Sequence, residues 1–239
     1  MRKLLLILAL TLITTSFSRA EVVEKVTISG NKRVSNETVK IYGNIKIGKN
    51  YSEQDLNKVL NDLYSTKFFK DVRVEIKNGD LKVNLVEYPV INTLILIGEA
   101  SNKYKDEIKK IISSKEKDSF IKNNISRDVE LIKKLYSSVG YNFAKVETKV
   151  RDSESGDKVD LIFEIDRGEI TRISKISFIG DKKIREKRLR DIIASEEDRF
   201  YKFISRNTRF SQNLVNLDLS LLTNYYKSLG YYDVKVTSN

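Results

Sequence analysis

The chemistry open to this chain is bounded first by the residue types it lacks. Its 239 residues include no histidine and no cysteine. The commonest general bases, thiol nucleophiles and zinc ligands are therefore missing together. No phosphate-cradling glycine loop and no nucleophile elbow occurs. The acidic residues mostly alternate with lysine, the pattern of a solvated face. Catalysis is not expected, and no cofactor is implied. What remains is binding, through charge or through backbone.

Charge is concentrated at one place. Lys182, Lys183, Arg185, Lys187, Arg188 and Arg190 follow one another within nine positions. Contact with anionic lipid headgroups or an acidic partner is one reading of this run; a solvated helix face is the other. The aromatics Phe200, Tyr201, Phe203 and Phe210 follow it, either as loop packing over a core or as a docking surface for a partner. The net charge of +11 invites an acidic partner of some kind.

The N-terminus narrows the choice. Arg2 and Lys3 precede an apolar run from Leu4 to Ile13, broken only by Thr11, and Ser18-Arg19-Ala20 offers small residues where a signal peptidase reads. These are the three regions of a secretory leader in order, over a stretch too short to span a membrane. Residues 1–20 are expected to be cleaved, leaving Glu21 first; an uncleaved anchor is the alternative. An exported protein rarely meets nucleic acid, so no nucleic-acid partner is expected. Without cysteine no disulfide can brace the exported chain, and each domain must rest on its own core.

The elements that could carry binding emerge from an internal repeat. Three alternating strands end at a glycine: Val26-Thr27-Ile28-Ser29-Gly30, Leu94-Ile95-Leu96-Ile97-Gly98 and Ile176-Ser177-Phe178-Ile179-Gly180. Each glycine suits a reversal at positive φ. A second anchor recurs later in each copy, where a helix stops before an aromatic residue and a strand. It reads Leu63-Tyr64-Ser65-Thr66-Lys67-Phe68-Phe69, then Leu135-Tyr136-Ser137-Ser138-Val139-Gly140-Tyr141, then Tyr225-Tyr226-Lys227-Ser228-Leu229-Gly230-Tyr231.

Two helices are predicted between the anchors of each copy. The first helices span Ser35 to Tyr42, Lys103 to Ile112 and Lys183 to Ile193. The second helix of copy one opens with Ser52-Glu53-Gln54-Asp55, close to a capping box. Its apolar face is Leu56, Val59, Leu60 and Leu63, at helical spacing. In copy three the corresponding face is Leu214, Leu217, Leu221, Leu222 and Tyr225, after Ser211.

Each copy then closes with a hairpin. In copy one, Val72, Val74 and Ile76 alternate with charged residues, Asn78-Gly79 marks a tight turn, and Leu81, Val83 and Leu85 return. Copy two repeats this with Val146 and Val150, a looser turn at Ser155-Gly156-Asp157, and Val159, Leu161, Phe163 and Ile165. The fold class is α+β: a tandem array of three β-α-α-β-β modules, each a three-stranded mixed sheet covered on one face by two helices. The expected divisions are 21–89, 90–169 and 170–239. In copy three the strand Val234 to Val236 reaches Thr237-Ser238-Asn239 with no return strand, which suggests a piece of a longer protein. Copy three is accordingly expected to be the least stable.

These residues resemble POTRA domains, the repeats in the periplasmic arm of outer-membrane β-barrel assembly factors of the BamA kind. The likeness rests on Ile28-Ser29-Gly30-Asn31-Lys32-Arg33-Val34, on Phe68-Phe69-Lys70-Asp71-Val72, and on Val86-Glu87-Tyr88-Pro89-Val90-Ile91-Asn92. In copy three it rests on Phe203-Ile204-Ser205 and Leu229-Gly230-Tyr231-Tyr232-Asp233-Val234. Copy two departs most, with Glu99 where the family has Asn. The resemblance implies a periplasmic location at the outer membrane. It also implies unfolded outer-membrane β-barrel precursors and accessory assembly lipoproteins as partners. In that fold the return strand is central, so the strand before it lies at an edge. The candidate peptide-binding edges are then Val72, Arg73, Val74, Glu75 and Ile76; Val146, Thr148 and Val150; and Val234 and Val236. The alternative is that Arg73, Glu75, Lys77 and Lys149 merely guard these edges. Two related readings are the arm of an autotransporter-assembly or two-partner secretion transporter, and a membrane-anchored divisome scaffold.

Overall fold

The computed structural model describes residues 21–154, 156–180, 183–199 and 205–238. The leader, Lys182, Phe200, Tyr201 and Phe203 lie outside the described residues. The chain divides between Pro89 and Val90 into two compact units.

The first unit is one module. A short ladder joins β1 (Glu21–Val22) to β3 (Asn50–Tyr51); the sequence reading did not anticipate it. The main sheet has the order β2–β5–β4, from β2 (Lys25–Ser29), β4 (Phe69–Lys77) and β5 (Asp80–Glu87). β2 runs parallel to β5 and β4 antiparallel to it, with Ile28 opposite Val83 and Val74 opposite Val83 from the other side. Asn78 and Gly79 both take positive φ, the backbone of a two-residue type I′ turn whose twist matches that of the strands.

Two helices cover one face: α1 (Asn36–Tyr42) and α2 (Glu53–Ser65). Ser35 caps α1 through the Thr38 N–H at 3.1 Å. At α2 the capping box closes both ways, Asp55 N–H to Ser52 Oγ at 3.2 Å and Ser52 N–H to Asp55 Oδ2 at 3.0 Å. Lys49 adds a 2.8 Å ion pair and, with the Ser52 bonds, holds the Asp55 carboxyl well below the usual carboxylate range. Val39, Val59, Leu63, Phe69, Val72, Leu81, Val83 and Leu85 fill the space between the layers. Each such burial stabilises by about 1.5–3 kcal/mol before entropy is counted.

The second unit holds the other two copies. Its complete sheet has the order β6–β8–β7, from β6 (Val90–Ile97), β7 (Lys145–Asp152) and β8 (Lys158–Asp166). α3 (Asn102–Ile111) and α4 (Lys122–Ser138) lie over Val146, Val159, Leu161, Phe163 and Ile165. The third copy contributes α5 (Glu186–Arg190), a 3₁₀ turn at Arg206–Thr208 and α6 (Gln212–Ser228).

Three expectations for this copy are corrected. Neither 176–179 nor Val234–Val236 forms a strand, because in this topology each pairs only with the return strand. The first helix is cut to five residues. The Asp218 carboxylate takes the N–H groups of Ala194 and Ser195 just beyond it, at 2.7 and 3.1 Å. On α6 Leu222 is buried and Leu214, Leu221 and Tyr225 are half-buried, but Leu217 is exposed, and Val215, Leu219 and Tyr226 line a cleft with Leu222.

Within this unit the second and third copies are joined by backbone. Thr171 N–H donates to Gly140 O at 2.8 Å, and Phe210 N–H donates to Thr171 O at 2.8 Å. Asn142 Nδ2 donates to Phe210 O at 2.8 Å. Phe210 joins this contact through its backbone, while the residue is 39% exposed.

Candidate peptide-binding edges

In an antiparallel pair, alternate residues turn their N–H and C=O toward the partner or away from it. Lys77 and Asp80 flank the two-residue turn and form a bonded pair, as do Glu75 with Lys82 and Arg73 with Asn84 two and four positions on. Val72, Val74 and Ile76 therefore aim their backbone groups outward from β4. Their side chains lie on the helix-covered face, while Arg73 and Glu75 lie on the open one. Val72 is already engaged: its N–H donates to Tyr64 Oη at 3.2 Å, and that hydroxyl donates to Asp71 at 3.3 Å.

β7 follows the same logic. Ser153 N–H donates to Lys158 O at 2.9 Å, which puts Arg151, Lys149 and Glu147 in the pairs facing β8. Val146, Thr148, Val150 and Asp152 aim outward. Lys149 is held by Glu164 at 2.7 Å across the open face. β4 and β7 are edge strands of their sheets, and of the first expected set Arg73 and Glu75 turn their backbone groups to β5 instead. The third set, Val234 and Val236, borders a cleft of about 800 Å³ with Ile176, Phe178, Leu219 and Leu222.

The basic run is less uniform than its sequence suggests. Lys183, Arg185, Lys187 and Arg188 are exposed, whereas Arg190 is half-buried. Arg190 pairs with Glu197 at 2.7 Å and donates to Ile176 O. The Ile176 N–H, then that pairing and Arg199, lower the Glu197 carboxyl to about 2. Arg188 donates to Tyr225 Oη at 3.2 Å. Arg190 is therefore a structural cation and drops out of any anion-binding surface.

Not all acidic residues form a solvated face. Glu99 and Asp128 are buried. Asp128 accepts the N–H groups of Ser113 and Ser114 at 2.7 and 2.9 Å, the role Asp218 plays in copy three. Glu99 accepts from Tyr136 Oη and from Ser101 N–H and pairs with Arg167 at 3.8 Å. Burial and the adjacent Glu99 push the Tyr136 hydroxyl well above its usual range. A signal for the aspartates was present: Asp55, Asp128 and Asp218 each stand eight residues before Leu63, Tyr136 and Tyr226.

The family described as "Surface antigen variable number repeat" (POTRA) matches residues 21–88, 89–168 and 171–239. The chain belongs to the POTRA family. Among curated relatives, the outer membrane protein assembly factor BamA of Neisseria meningitidis serogroup B is 26% identical over 217 residues. That match covers 90% of this chain and 27% of the relative. The BamA of Neorickettsia risticii is 25% identical over 224 residues, 93% of this chain and 30% of its own. The POTRA chain thus spans less than a third of the length of these relatives. Among solved structures, the N-terminal domain of Omp85 from Thermosynechococcus elongatus has a TM-score of 0.44 at 15% identity, covering 90% of this chain and 89% of that one. Among the described residues no helix is long and apolar enough to cross a membrane.

Proposed function

We propose that this chain is a non-enzymatic periplasmic binding arm that receives unfolded outer-membrane β-barrel precursors by strand addition and recruits accessory lipoproteins for their assembly into the outer membrane. It would act as three modules, 21–89, 90–169 and 170–239, exported behind a leader at 1–20. The observation that carries this reading is the pair of sheet edges with outward backbone groups, at β4 and β7. Backbone pairing reads extended conformation more than side chain, which suits many precursors sharing only β-alternation. The kinship with proteins named as outer membrane assembly factors supports the same pathway. Several weak modules in one chain gain by multivalency. Anionic lipid headgroups are the partner proposed for Lys183, Arg185 and Lys187, which are exposed in α5 or just before it. NMR titration of the labelled chain with unfolded peptides from outer-membrane barrels tests the reading. Shifts concentrated at 72–77 and 146–151 are expected. Silence at both edges, with the 183–188 segment responding to anionic vesicles, would make the array a membrane-facing spacer instead.

A further inference from the structure

The two edges are not equivalent, and the difference points to one of them. We propose that β7 is the principal strand-receiving edge and that its occupant is an extended segment of about eight residues alternating apolar and polar side chains. This rests on the strand-capture reading above and assigns it a place and a ligand pattern.

β4 is closed along its first half. Tyr64 Oη takes the outward N–H of Val72, and the register shifts between Phe69 and Asp71, a bulge of the kind that ends pairing at an edge. Only Val74 and Ile76 remain available there. The opposite edges offer less. β6 is covered where Ile91 N–H donates to Asp118 O and Lys117 N–H to Ile91 O, and where Leu94 N–H reaches Glu116 Oε1 at 3.2 Å. β2 has five residues.

β7 has four outward positions in a row, Val146, Thr148, Val150 and Asp152. None of their outward backbone groups meets a partner among the described residues. The side chains there are also under-covered. After Val146 every residue of β7 is exposed, Val150 at 41%. A ninth strand laid on this edge would set alternate side chains beside Thr148 and Val150, where apolar groups extend the core face. The intervening side chains would fall beside Glu147, Lys149 and Arg151, where polar groups fit. Alternation of that kind is what a transmembrane β-strand carries.

The test uses the whole chain and an acetylated nine-residue peptide alternating Val/Tyr with Thr/Gln. Thr148→Pro removes one outward N–H while leaving the ladder to β8 intact, since proline is tolerated on the solvent side of an edge. Val74→Pro is the matched change on β4. The expected result is binding weakened about tenfold by Thr148→Pro and by less than about twofold by Val74→Pro, with shifts at 145–152. Peptides N-methylated on alternate residues, in each of the two phases, give the same readout without altering the protein; one phase should lose binding and the other keep it. Equal losses from both prolines, or loss from Val74→Pro alone, overturn the β7 assignment and leave strand capture standing. Absence of binding, or indifference to both methylation phases, removes strand capture and this proposal with it. A doubling of mass abolished by Thr148→Pro, without peptide binding, would make the occupant a second copy and overturn the proposal.

Discussion

Gly30 and Gly98 sit at positive φ, and a Cβ on either would stand 2.0 Å from a carbonyl oxygen, that of Leu85 or of Ile165. The central strand passes directly against the turn in both modules. Gly180 has positive φ too, yet nothing lies within 4 Å of its Cβ position. The three glycines look alike in sequence and differ in what surrounds them. Gly98→Ala should therefore destabilise the second module by about 3 kcal/mol or more, from backbone collision added to φ strain. Gly180→Ala should cost only about 1–2 kcal/mol of strain. Urea titrations followed by module-resolved NMR signals would show this, and equal costs would contradict it. Another residue-scale regularity is a cation over the aromatic that follows each helix stop. Arg33 lies over Phe68 at 5.9 Å, Arg167 over Tyr141 at 5.3 Å, and Lys183 over Tyr231 at 5.5 Å. The cations come from different places along the three modules, so spacing does not reveal the pattern.

Among the elements, α2 and α4 begin differently although they are equivalent. α2 has the complete Ser52–Asp55 box, whereas Ile121 before α4 offers no side-chain cap. In the second module the corresponding aspartate, Asp128, turns instead to the loop after α3. Ser52→Ala should lower the stability of the first module by about 1 kcal/mol, the usual worth of a cap, and leave the second unchanged. Hydrogen exchange of α2 and α4 amides in the two proteins would measure it; matching losses in both helices would refute the assignment. The strands of the first two copies were legible as elements, because alternation and the Asn78-Gly79 turn act locally. The face of α6 was legible in part: Leu222 is buried and Leu214, Leu221 and Tyr225 are half-buried, but Leu217 is exposed, because apolar residues surround that helix and spacing alone does not choose among them.

Across the whole molecule, stability is expected to be uneven. The first two modules have extensive buried cores. In 170–239, Leu189 and Leu222 are the buried apolar residues among those described, and Ile179 is 96% exposed. A module with little buried surface opens easily. Amides in α6 should exchange faster than those in α2 and α4, with backbone protection absent at 176–179. Equal protection in all three helices would show that the third copy is held by something other than its own sheet.

By itself the sequence determined the repeat, the β-α-α-β-β order, the tight turn and the lack of histidine and cysteine, because periodicity, turn chemistry and residue type are properties of short stretches. It also placed Val72–Ile76 and Val146–Val150 on edges once the family topology was applied. Tertiary structure alone decided which edge is open. Tyr64 reaches Val72, the loop at 116–119 covers β6, and among the described residues nothing meets the outward backbone groups of β7. Those contacts join residues through space, and no spacing along the chain encodes them. The same holds for Glu99, Asp128 and Arg190, whose partners turned surface-like charges into internal ones.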